Sequence, residues 1–375
     1  MKLKVMHLIR SLSMGGAETL IKDYALKIDR EKFDIIIVTT GNRKHTFNEE
    51  ILEREGIKVF YLGEEVLQGA TNHLRRAFNK IQRHKLFLRI VKKEKPNIIH
   101  THLAVNDYLL CLNVKKRKIV LYHTLHSEID KMFSKGKERY KLTTRYCIKK
   151  KGMVPIALHS KMQKETNAFF DINNCILVPN GIDIKRFAKV NVNKKILLNT
   201  LGIVKNSFIV GHVGSFKKQK NHEFLIKVFS AVKNKQSNAH LVLIGVGVLE
   251  ERIRDLVWEL GLQNSVSFLG NREDIPELMS IMDVFLFPSL YEGFGNVLIE
   301  AQTVGIKCVA SDNIPNDAFV TNLVTPVSLN DSIDEWSEAT LDTKTPGSIR
   351  GDLNKYDINN IIRDLENIYL ESYNH

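Results

Sequence analysis

The sequence predicts an α/β protein made of two domains, each with a doubly wound parallel sheet. Short and almost continuously apolar runs alternate with longer amphipathic segments along the 375 residues. This pattern is typical of strands that are buried on both faces of a sheet between helices. The alternation occurs twice, on either side of a Pro/Asn/Gly-rich stretch at 176–187. Because the chain is also long for one domain, we expect two.

The first half of the chain contains six candidate strands. They are VMHLI (5–9), DIIIVTT (34–40), KVFYL (58–62), NIIHTH (97–102), KIVLYHT (118–124) and MVPIAL (153–158). Helical apolar spacing between them is clearest at 17–28 and 86–94.

The second half repeats the scheme with five candidate strands. They are FIVGHVGS (208–215), HLVLIG (240–245), VSFLG (266–270), VFLFPS (284–289) and KCVAS (307–311). Helical patterns follow at 222–233, 251–261, 275–282 and 358–373.

These patterns set the expected domain boundaries. We predict an N-terminal Rossmann-like domain at 1–183 and a C-terminal one at 184–356, followed by a helix at 357–375 that packs back on the first domain. Ligands of open α/β sheets bind outside the carboxyl ends of the strands. Two facing sheets of this kind predict a cleft between the domains, lined by loops from both.

Charge is distributed unevenly between the two halves. Residues 1–185 contain 36 Lys and Arg against 19 Asp and Glu, whereas the remainder contains 19 against 23. A basic half indicates a polyanionic partner, or simply solvated surface lysines. No nucleic-acid-binding motif accompanies the charge, so we do not expect nucleic acid as a partner. Basic amphipathic segments at 74–93 and 135–151 instead favour an anionic membrane surface.

The cysteines and the hydropathy pattern indicate the compartment. The four cysteines (Cys111, Cys147, Cys175 and Cys308) are scattered, without a C-x-x-C pair, which is typical of reduced thiols. No apolar run approaches the ~20 residues that span a bilayer. We therefore expect a cytoplasmic protein, with peripheral association at the inner face of the plasma membrane as an extension of that expectation.

Two groups of polar residues follow strands of the first domain. Gly15 and Gly16 open a helix directly after the first strand, where exposed amides and the helix dipole favour an anion, although an ordinary glycine turn has the same pattern. Four histidines cluster near two neighbouring strand ends: His100, His102, His123 and His126. Each can be a metal ligand, a satisfied core histidine or a substrate contact; for at least one of them, substrate contact is favoured over metal.

Lysines follow the first strand of the second domain. Lys217, Lys218 and Lys220 lie just before a helix, which suits an anionic ligand, although a solvated basic loop is the alternative. The nearby GVGVLEE at 245–251 superficially resembles a dinucleotide fingerprint but lacks its third glycine, so it does not indicate a hydride cofactor.

The most informative stretch is YEGFGNVLIE at 291–300. Glu292 is expected in a strand-end loop and Glu300 one turn into the following helix, which Gly305 closes. The amides of 293–296 can receive a phosphate between these two carboxylates, each of which can accept hydrogen bonds from sugar hydroxyls. This arrangement fits a sugar nucleotide.

With these motifs assembled, the chain resembles the retaining glycosyltransferases of family 4, which have the two-domain GT-B fold. The resemblance covers nearly the whole chain and is most specific in the E-x7-E pattern from Glu292 to Glu300. The other matching motifs, in the family's order, are GGAE (15–18), the His of HTLH (His126), VPNGID (178–183), VGSFKKQKNH (213–222) and FLGNREDIPELM (268–279).

The resemblance implies a role for each motif residue. Glu292 would contact the transferred sugar and Glu300 the ribose, while Lys220 would neutralise the departing diphosphate, with His126 in the sugar pocket. Donor contacts are implied for a further set: Gly15, Gly16, Ser215, Lys217, Asn271, Arg272, Gly293, Phe294, Gly295 and Asn296. Catalytic roles are implied for Glu292, His126 and Lys220.

Two features bear on the cofactor and on activity. No D-x-D motif is present, so we expect no metal, with positive side chains and helix amides holding the diphosphate. Ser215 stands where the family usually has an arginine, and a lysine cannot reproduce an arginine fork.

The expected function is transfer of a hexose or N-acetylhexosamine from a nucleotide sugar, in surface polysaccharide synthesis such as capsule or exopolysaccharide. The expected donor is a UDP-sugar, and the expected acceptor is a glycan or a polyprenyl-diphosphate-linked sugar. The alternative is a weak or inactive GT-B partner subunit that binds nucleotide or glycan and supports an active transferase.

Overall fold

The chain folds into two compact units. Unit 1 comprises Met1–Gly181 together with Ile358–His375, and unit 2 comprises Ile182–Asp357. The structure is a computed structural model, and it describes residues 2–13, 15–66, 73–342 and 348–374. Each unit contains one sheet in which every strand pairing is parallel. The predicted α/β fold with two parallel-sheet domains is confirmed.

The sheet of unit 1 has the strand order β3-β2-β1-β4-β5-β6-β7. Its strands are β1 (Leu3–Ile9), β2 (Phe33–Thr39), β3 (Lys58–Tyr61), β4 (Ile98–His102), β5 (Val120–Thr124), β6 (Val154–Ala157) and β7 (Ile176–Leu177). The central strands are buried almost throughout, as expected of a parallel sheet covered on both faces.

Helices cover both faces of this sheet. They are α1 (Gly16–Lys27), α2 (Phe47–Arg54), α3 (His73–Glu94), α4 (Val114–Arg117), α5 (Ile129–Met132), α6 (Glu138–Lys151), α7 (Ser160–Phe170) and α15 (Ile358–Asn374), with a 3-10 turn at Asn106–Cys111. The last of these belongs to unit 1 because Ile361, Leu365 and Tyr369 lie in the same apolar cluster as the residues of β1 and α1.

The sheet of unit 2 has the order β10-β9-β8-β11-β12-β13. Its strands are β8 (Phe208–Val213), β9 (Ala239–Ile244), β10 (Val266–Phe268), β11 (Val284–Phe287), β12 (Lys307–Ser311) and β13 (Val324–Val327). Its helices are α8 (Ile184–Ala188), α9 (Lys194–Thr200), α10 (His222–Lys235), α11 (Glu250–Glu259), α12 (Ile275–Ser280), α13 (Asn296–Val304) and α14 (Ile333–Leu341), with 3-10 turns at Lys218–Lys220, Asn316–Ala318 and Leu353–Tyr356.

Four observed elements, β7, β13, α3 and β5, differ clearly from the predicted ones. Strands β7 and β13 were not predicted, because the first has two residues inside the proline-rich stretch and the second includes Pro326. Helix α3 begins at His73 rather than near 86. The apolar side chains of its first half, Leu74, Phe78 and Ile81, are exposed rather than packed against the sheet. Strand β5 begins two residues later than predicted, because Lys118 has a left-handed backbone (φ 51°).

None of the described helices is both long and apolar enough to cross a membrane.

Candidate active site

In unit 2 the strand-end loop after β11 carries the first of the paired carboxylates. Glu292 lies in this loop and is 6% exposed. Helix α13 starts four residues later, which places Glu300 one turn into the helix, as predicted. Gly295 precedes the helix with a left-handed backbone (φ 96°), a conformation that a side chain would strain. Gly305 ends the same helix with φ 92°.

The Glu292 carboxylate is held by two side chains from the loop after β8. Lys220 Nζ donates to Glu292 Oε1 at 2.7 Å, and Gln219 Nε2 donates to Oε2 at 3.1 Å. The side chains of this ion pair are only 15% and 8% exposed. Lys220 Nζ also lies 4.7 Å from the centre of the buried Phe287 ring. The site therefore has a buried charge pair whose geometry is set before a ligand arrives.

Gln219 was not identified from the sequence. Besides its bond to Glu292, its side chain donates to the Tyr291 carbonyl at 3.1 Å, and its own carbonyl accepts from Leu290 N at 2.8 Å. These three bonds fasten the 3-10 turn before α10 to the loop after β11. A polar residue beside Lys220 was the only sequence signal, and it does not reveal that the two loops meet.

Glycines allow the loops of this edge to approach closely. A Cβ on Gly214 would lie 3.2 Å from Lys220 Cδ and 2.9 Å from His212 Nε2. Side chains on Gly245 and Gly247 would collide with the backbone of the loop that contains Ser215. The GVG turn at 245–247 thus serves loop packing.

The other predicted cations of unit 2 lie elsewhere. Phe216, buried to 1% exposure, anchors the loop that follows Ser215, whereas Lys217 and Lys218 are exposed. Of the predicted lysines, Lys220 is the one that the structure places beside Glu292. The exposed Lys217 and Lys218 therefore do not replace an arginine at position 215.

Three more predicted donor residues have defined surroundings. Arg272 makes a two-point ion pair with Asp274, at 2.8 and 2.6 Å, and Asn271 is exposed next to it. Phe294 is 2% exposed and its ring packs edge-on against Tyr356, with the ring centres 5.2 Å apart. The Phe294 side chain therefore belongs to the interior, and its backbone remains the part that can face a ligand.

In unit 1 the two glycines open α1, as predicted. Gly15 is the N-cap and Gly16 the first helical residue; Met14 of the same motif lies outside the described residues. Ser13 Oγ donates to Glu18 Oε1 at 3.2 Å, and a Cβ on Gly15 would collide with the Glu18 carboxylate. A carboxylate of the chain itself thus lies over the start of α1, where the sequence predicts an anion.

Three histidines are linked below the carboxyl edge of this sheet. His7 Nδ1 lies 3.0 Å from His102 Nε2, and His102 Nδ1 lies 3.0 Å from His126 Nε2. His7 was not identified from the sequence, although a histidine within the apolar run VMHLI is the signal. Burial lowers the pKa of His7 to about 4 and, together with the neighbouring His123, that of His126 to about 3.

The other two predicted histidines are satisfied core residues. His123 Nε2 lies 2.7 Å from the Tyr140 hydroxyl, and its Nδ1 lies 3.1 Å from the Thr101 carbonyl. His100 is bonded at both nitrogens, to the Tyr369 hydroxyl at 2.6 Å and to Thr124 Oγ1 at 2.7 Å.

The imidazole nitrogens of three histidines converge in this cluster. The nitrogens of His7, His100 and His102 lie within 4.8 Å of one another, a spacing that a metal ion could use. The two nitrogens of His100 and both of His102 are nevertheless engaged in the hydrogen bonds described above. The arrangement is therefore that of a hydrogen-bonded cluster.

A cavity of about 380 Å³ in unit 2 lies away from all of these residues. Asp283 and Lys307, at the amino ends of β11 and β12, are among the residues that line it. It is therefore at the sheet edge opposite to Glu292.

Comparisons with known proteins agree with this geometry. The model for glycosyl transferases group 1 matches residues 193–343, and the model for glycosyltransferase family 4 matches residues 14–186. The solved structure of Anabaena Alr3699/HepE in complex with UDP-glucose shares the fold, with a TM-score of 0.75 at 19% identity over 98% of this chain and 100% of that one.

Two relatives are similar in sequence over most of their length. EpsF of Bacillus subtilis, assigned as a glycosyltransferase, is 30% identical over 89% of this chain and 86% of its own. An Escherichia coli enzyme is 26% identical over 86% of this chain and 82% of its own; its name is UDP-Gal:alpha-D-GlcNAc-diphosphoundecaprenol alpha-1,3-galactosyltransferase. The chain belongs to the group 1 glycosyltransferases with the GT-B fold.

Proposed function

We propose that this chain transfers a hexose or N-acetylhexosamine from a UDP-sugar to a lipid-linked glycan, with retention of anomeric configuration and without a metal ion. The observation that carries the proposal is the buried pair of Lys220 and Glu292. Gln219, which precedes Lys220 in the loop after β8, also donates a hydrogen bond to the Glu292 carboxylate. A carboxylate that can bind sugar hydroxyls and a cation that can bind phosphate lie 2.7 Å apart in this pair.

The pair can serve both parts of a nucleotide sugar. An ammonium group has three N–H donors, and Lys220 directs one of them to Glu292, so its others can bind diphosphate oxygens. Glu300 lies one helical turn into α13 and is assigned to the ribose hydroxyls. Fixed positive charge and helix amides can stabilise a departing diphosphate without a metal. We assign Asn271 and Arg272 to the base and His126 to the transferred sugar.

The relatives support the donor and the acceptor. The Escherichia coli enzyme acts on a UDP-sugar and a diphosphoundecaprenol-linked sugar, and the Anabaena protein binds UDP-glucose. We therefore place this chain in surface polysaccharide synthesis, such as that of capsule or exopolysaccharide, on a polyprenyl-diphosphate-linked acceptor.

Unit 1 has a surface suited to a lipid-linked acceptor. Asp107, in the 3-10 turn after β4, pairs with Lys80 of α3 at 2.8 Å and with Arg139 of α6 at 3.6 Å. The two basic helices are thus joined through one carboxylate. Apolar side chains are exposed on both helices: Leu74, Phe78, Ile81, Leu142 and Tyr146.

Exposed apolar groups among lysines and arginines are typical of helices that lie at an anionic lipid interface. We propose that this surface, formed by α3 and α6, rests on the inner face of the plasma membrane. Replacing Phe78 and Leu142 by Ser should weaken co-sedimentation with phosphatidylglycerol vesicles, whereas the same change at the exposed Val204 of unit 2 should not. Equal binding by wild type and by the Phe78/Leu142 variant would remove this part of the proposal.

The deciding experiment is donor turnover and nucleotide binding by the purified chain in EDTA. We expect UDP to bind more tightly than GDP or ADP, and Glu300→Gln to weaken UDP binding by about tenfold or more, because a charged hydrogen-bond acceptor is lost. Glu259→Gln, on the exposed side of α11, is the matched control. Retention is tested by the anomeric coupling constant of the product, which should show the configuration of the donor.

The partner-subunit alternative rests on Ser215. Absence of an arginine there leaves Lys220 as the cation beside Glu292, so weak nucleotide binding without turnover would favour the alternative. Turnover by the chain alone would eliminate it.

A further inference from the structure

Three imidazoles, two buried and one partly exposed, form a continuous hydrogen-bonded chain in unit 1. It starts at His7 in the middle of the sheet, passes through His102 at the end of β4 and ends at His126 in the loop after β5, with both nitrogen–nitrogen distances at 3.0 Å. His7 and His102 have no exposed surface, whereas His126 is partly exposed. The chain therefore connects the core of the unit to the one histidine that can reach a ligand.

Each ring in the chain carries a single N–H. Burial, with the neighbouring imidazoles, holds the pKa of His7, His102 and His126 below the ordinary histidine value, so all three are neutral at pH 7. A neutral imidazole has one donor nitrogen and one acceptor nitrogen. The N–H groups of the three linked imidazoles can then be oriented in only two ways: all donate toward His126, or all donate toward His7.

The surroundings of His7 Nε2, at the buried end of the three linked imidazoles, decide between these two orientations. His7 Nε2 is buried and has no hydrogen-bond partner within the part of the chain that the structure describes. If the protons pointed toward His7, this atom would be an unpaired buried N–H donor. If they point toward His126, it is an unpaired acceptor. Buried donors without a partner are the rarer of the two in folded proteins.

We infer that His7 and His102 are positioning residues that hold His126 as the Nδ1–H tautomer. His7 Nδ1–H donates to His102 Nε2, and His102 Nδ1–H donates to His126 Nε2. His126 then presents Nδ1–H to the substrate, as a neutral hydrogen-bond donor. This inference rests on the proposed function for the assignment of His126 to the transferred sugar.

The consequence for the reaction is specific. With Nε2 occupied by His102 and Nδ1 already protonated, His126 has no free lone pair, so it cannot accept the proton of the attacking hydroxyl. Its contribution is one oriented donor to an oxygen of the sugar. The neighbouring His100, stacked 4.2 Å from His102 between ring centres, keeps the His102 ring in its plane.

The first test is the tautomer itself, which needs no substrate. Long-range proton–nitrogen correlation NMR on the full chain with ¹⁵N-labelled histidine, assigned with His126→Asn, should show His126 protonated at Nδ1 and unprotonated at Nε2. A signal from Nε2–H of His126 would overturn the inference, whatever the protein proves to transfer.

The second test uses two isosteric variants of His102. The amide nitrogen of asparagine stands near the position of histidine Nδ1, and that of glutamine near Nε2. His102→Asn should therefore keep the donor to His126, while His102→Gln should lose it. We expect His102→Gln to lower kcat by about tenfold or more with little change in KM, a scale known for side chains that orient a metal-ligating histidine through a hydrogen bond.

His102→Asn should retain kcat within about threefold of wild type, and circular dichroism should show both variants folded. Equal losses of kcat in the two variants would mean that His102 acts through packing alone, and would contradict the inference. The inference would also be contradicted if the purified protein contained one metal ion per chain and EDTA changed the ¹⁵N signals of His126. Absence of any turnover in wild type would count against the proposed function, and the NMR result would still decide the tautomer.

Discussion

The two units have similar parallel sheets but stabilise the polar groups at their carboxyl edges in opposite ways. Unit 1 uses neutral imidazoles and hydroxyls that hydrogen-bond to one another, as in the chain of His7, His102 and His126. Unit 2 uses a buried ion pair, Lys220 with Glu292. A neutral network suits orientation of a sugar or acceptor, whereas a charged pair suits binding of a diphosphate. The two units thus present different kinds of polar group at their strand ends.

The largest expected effect comes from breaking the ion pair of unit 2. Lys220→Met leaves Glu292 buried without its cation, and we expect a loss of about 3–5 kcal/mol in the free energy of unfolding of unit 2, together with loss of turnover. The measurement is urea unfolding followed by Trp258 and Trp336 fluorescence, since both tryptophans lie in this unit.

The double variant Lys220→Met/Glu292→Met should regain most of the lost stability without regaining turnover, because an apolar pair can replace a buried ion pair. Arg252→Gln, which breaks the exposed pair with Glu223, should cost far less than Lys220→Met, because exposed ion pairs contribute little to stability. A cost for Lys220→Met no greater than that of the exposed control would show that the buried pair is not specially stabilising.

The next effect is the pH dependence of unit 1. Burial lowers the pKa of His7 from its ordinary value of 6.5 to about 4. Between these two values the unfolded state binds a proton that the folded state does not, so the free energy of unfolding rises with pH across the window and falls as the pH drops. One such imidazole contributes about 3 kcal/mol at neutral pH that is lost as the pH falls from 6.5 toward 4.

His7→Leu should therefore reduce the pH dependence of unfolding between pH 4 and 6.5, when urea midpoints are measured across that range. The remainder comes from other buried histidines of unit 1, such as His100 and His102, whose pKa values are also lowered. His73→Leu, at the exposed start of α3, should leave the dependence as in wild type. Identical slopes for wild type and His7→Leu would mean that His7 is not neutral in the folded protein.

The smallest effect concerns Lys220, the cation beside Glu292 in unit 2. Ser215→Arg places a guanidinium near Lys220 that can bind phosphate at two points, and we expect UDP to bind about tenfold more tightly. Ser215→Lys should gain less, because an ammonium cannot make the same two-point contact. Titration calorimetry with UDP measures both, and unchanged affinity in the arginine variant would show that Lys220 alone satisfies the diphosphate.

The fold could be predicted from the sequence because parallel strands are apolar along their whole length and alternate with helices. Strands such as β8 and β12 lie within a residue or two of their predicted bounds. Strand β7 could not be predicted, because two residues inside the Pro/Asn/Gly-rich stretch are too few to show a hydrophobic period. The paired glutamates were placed correctly because both lie on one local segment, the loop and helix that follow β11.

What the sequence could not show is which distant side chains meet. Gln219 touches Glu292 across 73 positions of the chain, and His7 touches His102 across 95. Such contacts depend on strand order and register, which place β1 beside β4. The position of Glu18 over the start of α1 depends on a rotamer, and no motif fixes it.

Helix α15 has a consequence for how the protein is made. The chain leaves unit 1 after Gly181, builds the whole of unit 2 and returns at Ile358, so unit 1 is translated first but lacks part of its core until α15 is synthesised. Domains generally fold in the order in which they leave the ribosome, yet here unit 2 can fold first. Until α15 is synthesised, the nascent unit 1 exposes the apolar surface that Ile361, Leu365 and Tyr369 later cover. His100 also lacks its hydrogen bond to the Tyr369 hydroxyl until then. Chaperones that hold exposed apolar chain during translation should therefore bind the first half of this protein for as long as the second half takes to emerge.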